Sequence, residues 1–146
     1  YYIFMNGPSL KHDYYANAEA MQKVRDAYIS DLKRYDENRF DSFHQNNEMK
    51  MMGQAVFENN CRACHNKNAA GDIGPNLTDN AWIYTNGSHK TFYQFIIEGS
   101  PISGMPAWGG TLSEDELYSV TAYIASLKGM EHIDPPAKEP RGDVYE

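Results

Sequence analysis

Apolar residues recur at three- and four-residue steps along residues 14–40, where Tyr14, Ala18, Met21, Val24, Tyr28, Leu32 and Tyr35 fall on one stripe. That period predicts a long amphipathic helix. Its other faces mix Lys and Arg with Asp and Glu in near balance, as a solvated surface does. Residues 41–47 are mostly polar and predict a linker. A second helix is expected over residues 48–59, with Gly53 and Phe57 four apart on one face. Glycine inside a helix costs about 1 kcal/mol against alanine, so its expected use is a close approach to another helix. The partner is the last helix, where Leu117, Val120, Tyr123, Ile124 and Leu127 form an apolar row. Ser113 and Glu116 stand at capping-box spacing at its start, and Gly129 marks its end.

Between these helices the pattern breaks. Residues 71–80 are rich in Gly, Pro, Asn and Asp and predict a loop, followed by a short aromatic stretch with Trp82 and Tyr84. A helix over residues 89–98 is expected next, capped by Ser88, closed by Gly99, and turning Phe92, Phe95 and Ile96 inward. Residues 100–110 form a second loop of Gly, Pro and Ser around Met105 and Trp108. The tail from Glu131, with Pro135, Pro136 and Pro140, predicts extended chain. No repeat and no β alternation is visible, so the class is all-α. The expected division is an extension over 1–47 with the long helix, a module over 48–130 that folds alone, and a tail over 131–146. Residues 1–4 are expected to be the end of a membrane anchor or a loose terminus.

The chemistry concentrates in Cys61-Arg62-Ala63-Cys64-His65, which holds the only two cysteines. C-x-x-C followed by His is the attachment signature of c-type haem. Each thiol can add to a haem vinyl group, and the adjacent imidazole can reach the iron. A zinc site would need further Cys or His at finger spacing, whereas His12, His44, His89 and His132 are scattered singly. A thioredoxin-like pair would need a βαβ setting, and a plain disulfide would leave His65 a coincidence. One covalent haem c is therefore the expected cofactor. The aromatic rings, Trp82, Tyr84 and Trp108 among them, suit the walls of a flat apolar group.

An iron held by His65 has a second axial position, for which Met105, Met130 and the scattered histidines are candidates. Met105 is best placed, because it lies in an irregular loop after a complete helix. Pro106 pushes it out of the α region and Gly104 leaves room for a porphyrin edge. Met130 follows the capping Gly129.

The formal net charge of −7 speaks against nucleic acid and anionic membrane surfaces, both of which select basic patches. The acid excess lies in residues 48–146, with seven Lys and Arg against thirteen Asp and Glu, so a charge-selected partner should present a basic face. There is no apolar run approaching the ~18 residues of a membrane span and no visible signal peptide. Covalent haem attachment implies a periplasmic setting, and the expected anchor is a segment upstream of Tyr1.

Cys61 to His65, Gly74-Pro75-Asn76-Leu77-Thr78, Gly104-Met105-Pro106-Ala107-Trp108 and Tyr123-Ile124 before Leu127 together resemble a class I cytochrome c over about residues 48–130. The resemblance implies that Pro75 offers its carbonyl to the proximal imidazole N–H, and that Gly53 and Phe57 cross Tyr123. The stretch from Gly74 to Trp82, the Met105 loop and the trailing Lys138-Glu-Pro-Arg-Gly are similar, more narrowly, to the haem domain of the cytochrome c subunit (subunit III) of cbb(3)-type oxidases. That subunit carries two C-x-x-C-H motifs and this chain one. The implied function is single-electron transfer between redox protein partners of a membrane respiratory complex, with no small-molecule substrate and no catalysis of its own. The rivals are a freely diffusing periplasmic shuttle and a haem enzyme or gas sensor with an open sixth site.

Overall fold

The computed structural model describes residues 10–130 and 136–145. Its helices are α1 (Leu10–Leu32), α2 (Glu37–Gln45), α3 (Asn47–Asn60), the single turn α4 (Arg62–His65), α5 (His89–Glu98) and α6 (Glu114–Ser126). Two two-residue strands, β1 (Ala81–Trp82) and β2 (Asp143–Val144), pair antiparallel with Ala81 opposite Val144. The all-α class thus holds for the core, to which this short pair and a single bridge between Ser100 and Met105 are added.

The core is organised by the crossing of α3 and α6. Gly53 lies against the backbone of α6, where a Cβ would collide with the Ser119 carbonyl and come within 2.8 Å of Tyr123 Cβ. Phe57 packs beside that contact, 1% exposed and with its ring centroid 5.7 Å from that of Tyr123. The expected pairing of first and last module helices is therefore present. α6 starts as its sequence predicts: Ser113 Oγ accepts from the Glu116 N–H, and Glu116 accepts from the Ser113 N–H at 2.8 Å. Overpacking a tight core costs about 1–3 kcal/mol. The contact here is with backbone, which yields least, so Gly53→Ala is expected at or above the top of that range, read as a lowered thermal midpoint.

The helix expected over 14–40 is broken, and the linker expected over 41–47 is mostly helical. Asp36 explains both. Its carboxylate accepts from the Asn38 and Arg39 N–H groups and so starts a new helix, α2. Its own N–H donates to Tyr118 Oη at 2.7 Å, tying the break to α6. α2 then buries Phe40 to 1% exposure and turns Phe43 against the same core. Arg39 lies 5.0 Å above the Tyr118 ring and pairs with Glu114 and Asp115 at the start of α6. Two aromatic residues in nine were too sparse a signal for a helix among polar neighbours.

Leu32, Tyr35 and Phe40 belong to one cluster with Phe57, Tyr93, Leu117 and Tyr118, so the core reaches back across residue 47. Tyr35 and Tyr93 carry phenols pushed upward in pKa mainly by burial. The rest of the N-terminal stripe is not core. From Asp13 to Tyr28 every residue of α1 is exposed, Met21 by 75% and Val24 by 71%. No described helix is long and apolar enough to cross a membrane. The anchor expected over residues 1–4 lies outside the described residues, as does His132.

Candidate haem site

α3 delivers the cysteine motif directly. Its last turn closes with the Cys61 N–H on the Phe57 carbonyl, and the N–H groups of Cys64 and His65 both return to the Cys61 carbonyl at 3.1 and 3.0 Å. One turn therefore presents two thiols and an imidazole on a rigid stem. Asn66, at φ 64°, then reverses the chain. The loop that follows folds back under the motif, with Gly71 N–H on the His65 carbonyl and Gly74 N–H on the Cys64 carbonyl, both at 2.8 Å. Gly74 lies so close to the imidazole that a Cβ would come within 2.6 Å of His65 Cε1. Any larger residue would push the ring out of place.

The Pro75 carbonyl lies 3.0 Å from His65 Nδ1, the contact the resemblance implies. A carbonyl only accepts, so Nδ1 carries the proton and Nε2 keeps its lone pair. Burial lowers the imidazole pKa, the bond to Pro75 opposes that, and the Lys138 ammonium lowers it further. The net shift is downward, which favours the neutral ring. Burial also pushes the Cys61 thiol up to about 11, with the neighbouring Cys64 adding to it.

Met105 arrives from the opposite direction in the chain. Gly99 ends α5 at φ 65°, and Ser100 and Met105 pair backbone to backbone in both directions at 2.8 and 3.1 Å. Gly104, at φ 76°, supplies the turn between them. Trp108 and Gly109 N–H groups then bond the Ile96 and Ile97 carbonyls, pinning the loop to the end of α5.

These pieces enclose one cavity of about 320 Å³. Cys61, Cys64, His65 and Met105 all line it. So do Pro75, Trp82, Tyr84 and Trp108, together with Phe92, Phe95 and Ile96 from α5. Tyr84 stacks on Phe95 with rings 8° apart, and Trp82 packs on Phe92. The Trp82 indole N–H is buried with no protein partner, and its edge lies against Gly87. All eight residues singled out in the sequence thus share one space. Met130 does not: it is 42% exposed and away from the cavity. His44 and His89 flank Phe40 instead, with His89 stacked 4.2 Å from the Phe40 ring. Among the described residues no three His, Cys, Asp or Glu side chains converge on a metal position.

The family model described as cytochrome C oxidase, cbb3-type, subunit III matches residues 48–124, just over half of the chain. The chain belongs to this family. Among curated relatives, the cbb3-type cytochrome c oxidase subunit CcoP of Rubrivivax gelatinosus is 34% identical over 89 residues, covering 60% of this chain and 29% of its own length. The FixP subunit of Bradyrhizobium sp. (strain ORS 278) is 39% identical over 80 residues, covering 53% and 27%. The chain therefore spans less than a third of the length of these relatives. Among solved structures, cytochrome cL from Methylophaga aminisulfidivorans superposes with a TM-score of 0.57 at 20% identity, over 87% of this chain and 71% of that one. That likeness carries the fold alone. A cytochrome c family implies covalent haem, and the cavity suits it by its donor chemistry. Two thiols on one turn, an imidazole with its Nε2 lone pair free and a thioether line a space walled by aromatic rings.

Arg141, which the sequence placed only within the family-like Lys138-Glu-Pro-Arg-Gly stretch, also lines the cavity. Arg141 reaches the cavity from the tail, through a β pair of two residues, too short to leave a periodic pattern.

Proposed function

We propose that the chain is a monohaem c-type cytochrome module that passes single electrons between a donor and an acceptor of a respiratory chain, as part of a cbb3-type oxidase. Cys61 and Cys64 would carry its thioether bonds, and His65 and Met105 would hold its iron. The haem module occupies the periplasmic side, tethered through a segment preceding Tyr1. The haem, when bound, supplies reversible exchange between ferric and ferrous iron. The observation that carries this reading is the His65 imidazole, held by Nδ1 at 3.0 Å from the Pro75 carbonyl, in the cavity that Cys61, Cys64 and Met105 also line.

The protein's part is positioning and exclusion of water. The Pro75 carbonyl fixes the tautomer and makes the imidazole a stronger donor. A Met105 thioether on the iron would favour the ferrous state and raise the potential, which suits a carrier. Trp82, Tyr84, Trp108 and the α5 rings keep the pocket apolar, so charge on the iron is set by the ligands rather than by solvent. With Met105 on the iron, no site would stay open for peroxidase chemistry or gas sensing.

A redox titration of the haem-loaded protein followed by exposure of the reduced form to carbon monoxide separates the readings. A single one-electron wave with slow carbon monoxide binding at neutral pH is expected. Immediate, complete binding would mean an open sixth position and would remove the carrier role.

A further inference from the structure

The tail that lies beyond the family-matched residues comes back to the site. The Lys138 N–H donates to the Ala70 carbonyl at 2.8 Å, and its ammonium donates to the carbonyls of Asp72 and Gly74 in the loop under His65. Past Arg141, β2 pairs with β1 and the Tyr145 N–H bonds the Asn80 carbonyl at 3.0 Å. Gly142, at φ 104°, sits so tightly on the Trp82 carbonyl that a Cβ would overlap it. The strap is thus fixed on both sides of Arg141. Among the described residues Arg141 is the one side chain of permanent charge lining the cavity, and no acid lines it. It takes part in none of the ion pairs among the described residues.

Haem brings two propionate carboxylates. An ionised carboxylate in an apolar cavity needs a charged or hydrogen-bonding partner, and a guanidinium offers a planar fork that matches it. We infer that Arg141 binds a haem propionate, which makes the C-terminal strap part of the haem site. The inference rests on the haem reading above. Two consequences follow from charge. A cation held beside the porphyrin would disfavour ferric iron and raise the potential. It also keeps the propionate ionised through neutral pH, so the potential changes little with pH there.

The test is potentiometry of the haem-loaded protein between pH 5 and 8 for wild type, Arg141→Gln and Arg141→Lys. At a fixed ambient potential Arg141→Gln should raise the ferric-to-ferrous ratio about three- to tenfold, tenfold being about 59 mV for one electron. It should also make the potential fall as pH rises, because the unpaired propionate now titrates in that range. Arg141→Lys should restore most of both properties. If Arg141→Gln tracks wild type at every pH, the assignment is overturned. If Arg141→Lys departs as far as Arg141→Gln, the charge is not the agent and the assignment is overturned equally. Failure of the haem reading would show separately, as wild-type protein without an alkaline pyridine haemochrome spectrum, and would overturn both.

Discussion

Met105→Ala should abolish the weak far-red charge-transfer band of a methionine–ferric bond and lower the potential by roughly 0.1 V, a modest part of the ~0.8 V that axial ligands span. The reduced variant should also bind carbon monoxide rapidly, since the sixth position is then open. Met130→Ala should change none of these, because Met130 is 42% exposed and does not line the cavity. The contrast isolates ligation from the general loss of a methionine. A Met105 that merely filled core would yield a stability change with the band intact. Loss of the band in Met130→Ala would place the ligand after α6 and contradict the loop assignment. Loss in His89→Ala would require His89 to leave its stack on Phe40, where the ring lies 4.2 Å away.

Removing residues 1–47 should cost the haem module most of its stability, whereas removing residues 1–28 should leave it nearly unchanged. The shorter deletion takes away chain that is exposed from Asp13 onward. The longer one removes Leu32 and Phe40, both buried, and the Arg39 pairs to α6. Truncating one buried phenylalanine costs about 3–5 kcal/mol, against a total of about 5–15 kcal/mol for a typical domain. Thermal unfolding of the haem-loaded variants, followed by circular dichroism, reads the difference. Equal melting of the longer deletion and the intact chain would show that the module is self-sufficient from Glu48, as the sequence pattern predicts. Phe40→Ala alone should reproduce a large part of the loss.

The parts of the fold that were legible are those with a local physical cause. Ser113 and Glu116 wrote the start of α6, Ser88 and Gly99 the two ends of α5, and Gly53 the crossing with α6. The C-x-x-C-H motif and the Gly-Met-Pro loop were legible because their chemistry depends on spacing along the chain. What was missed depends on partners distant in sequence. The stripe from Tyr14 to Tyr35 has one period throughout, yet only its end at Leu32 and Tyr35 meets the core. Periodicity marks an apolar face without saying what covers it. Asp36 looked like another surface charge until its N–H found Tyr118, 82 residues away. Arg141 likewise owes its place to strands of two residues and to hydrogen bonds from Lys138 and Tyr145.

Intact mass of the purified protein under denaturing conditions, after expression in a host that matures c-type cytochromes, tests the central claim most directly. The polypeptide mass plus that of one haem is predicted for the wild type, and the bare polypeptide mass for the double variant Cys61→Ser, Cys64→Ser. A wild-type chain that releases its haem on denaturation, or carries none, would contradict the account.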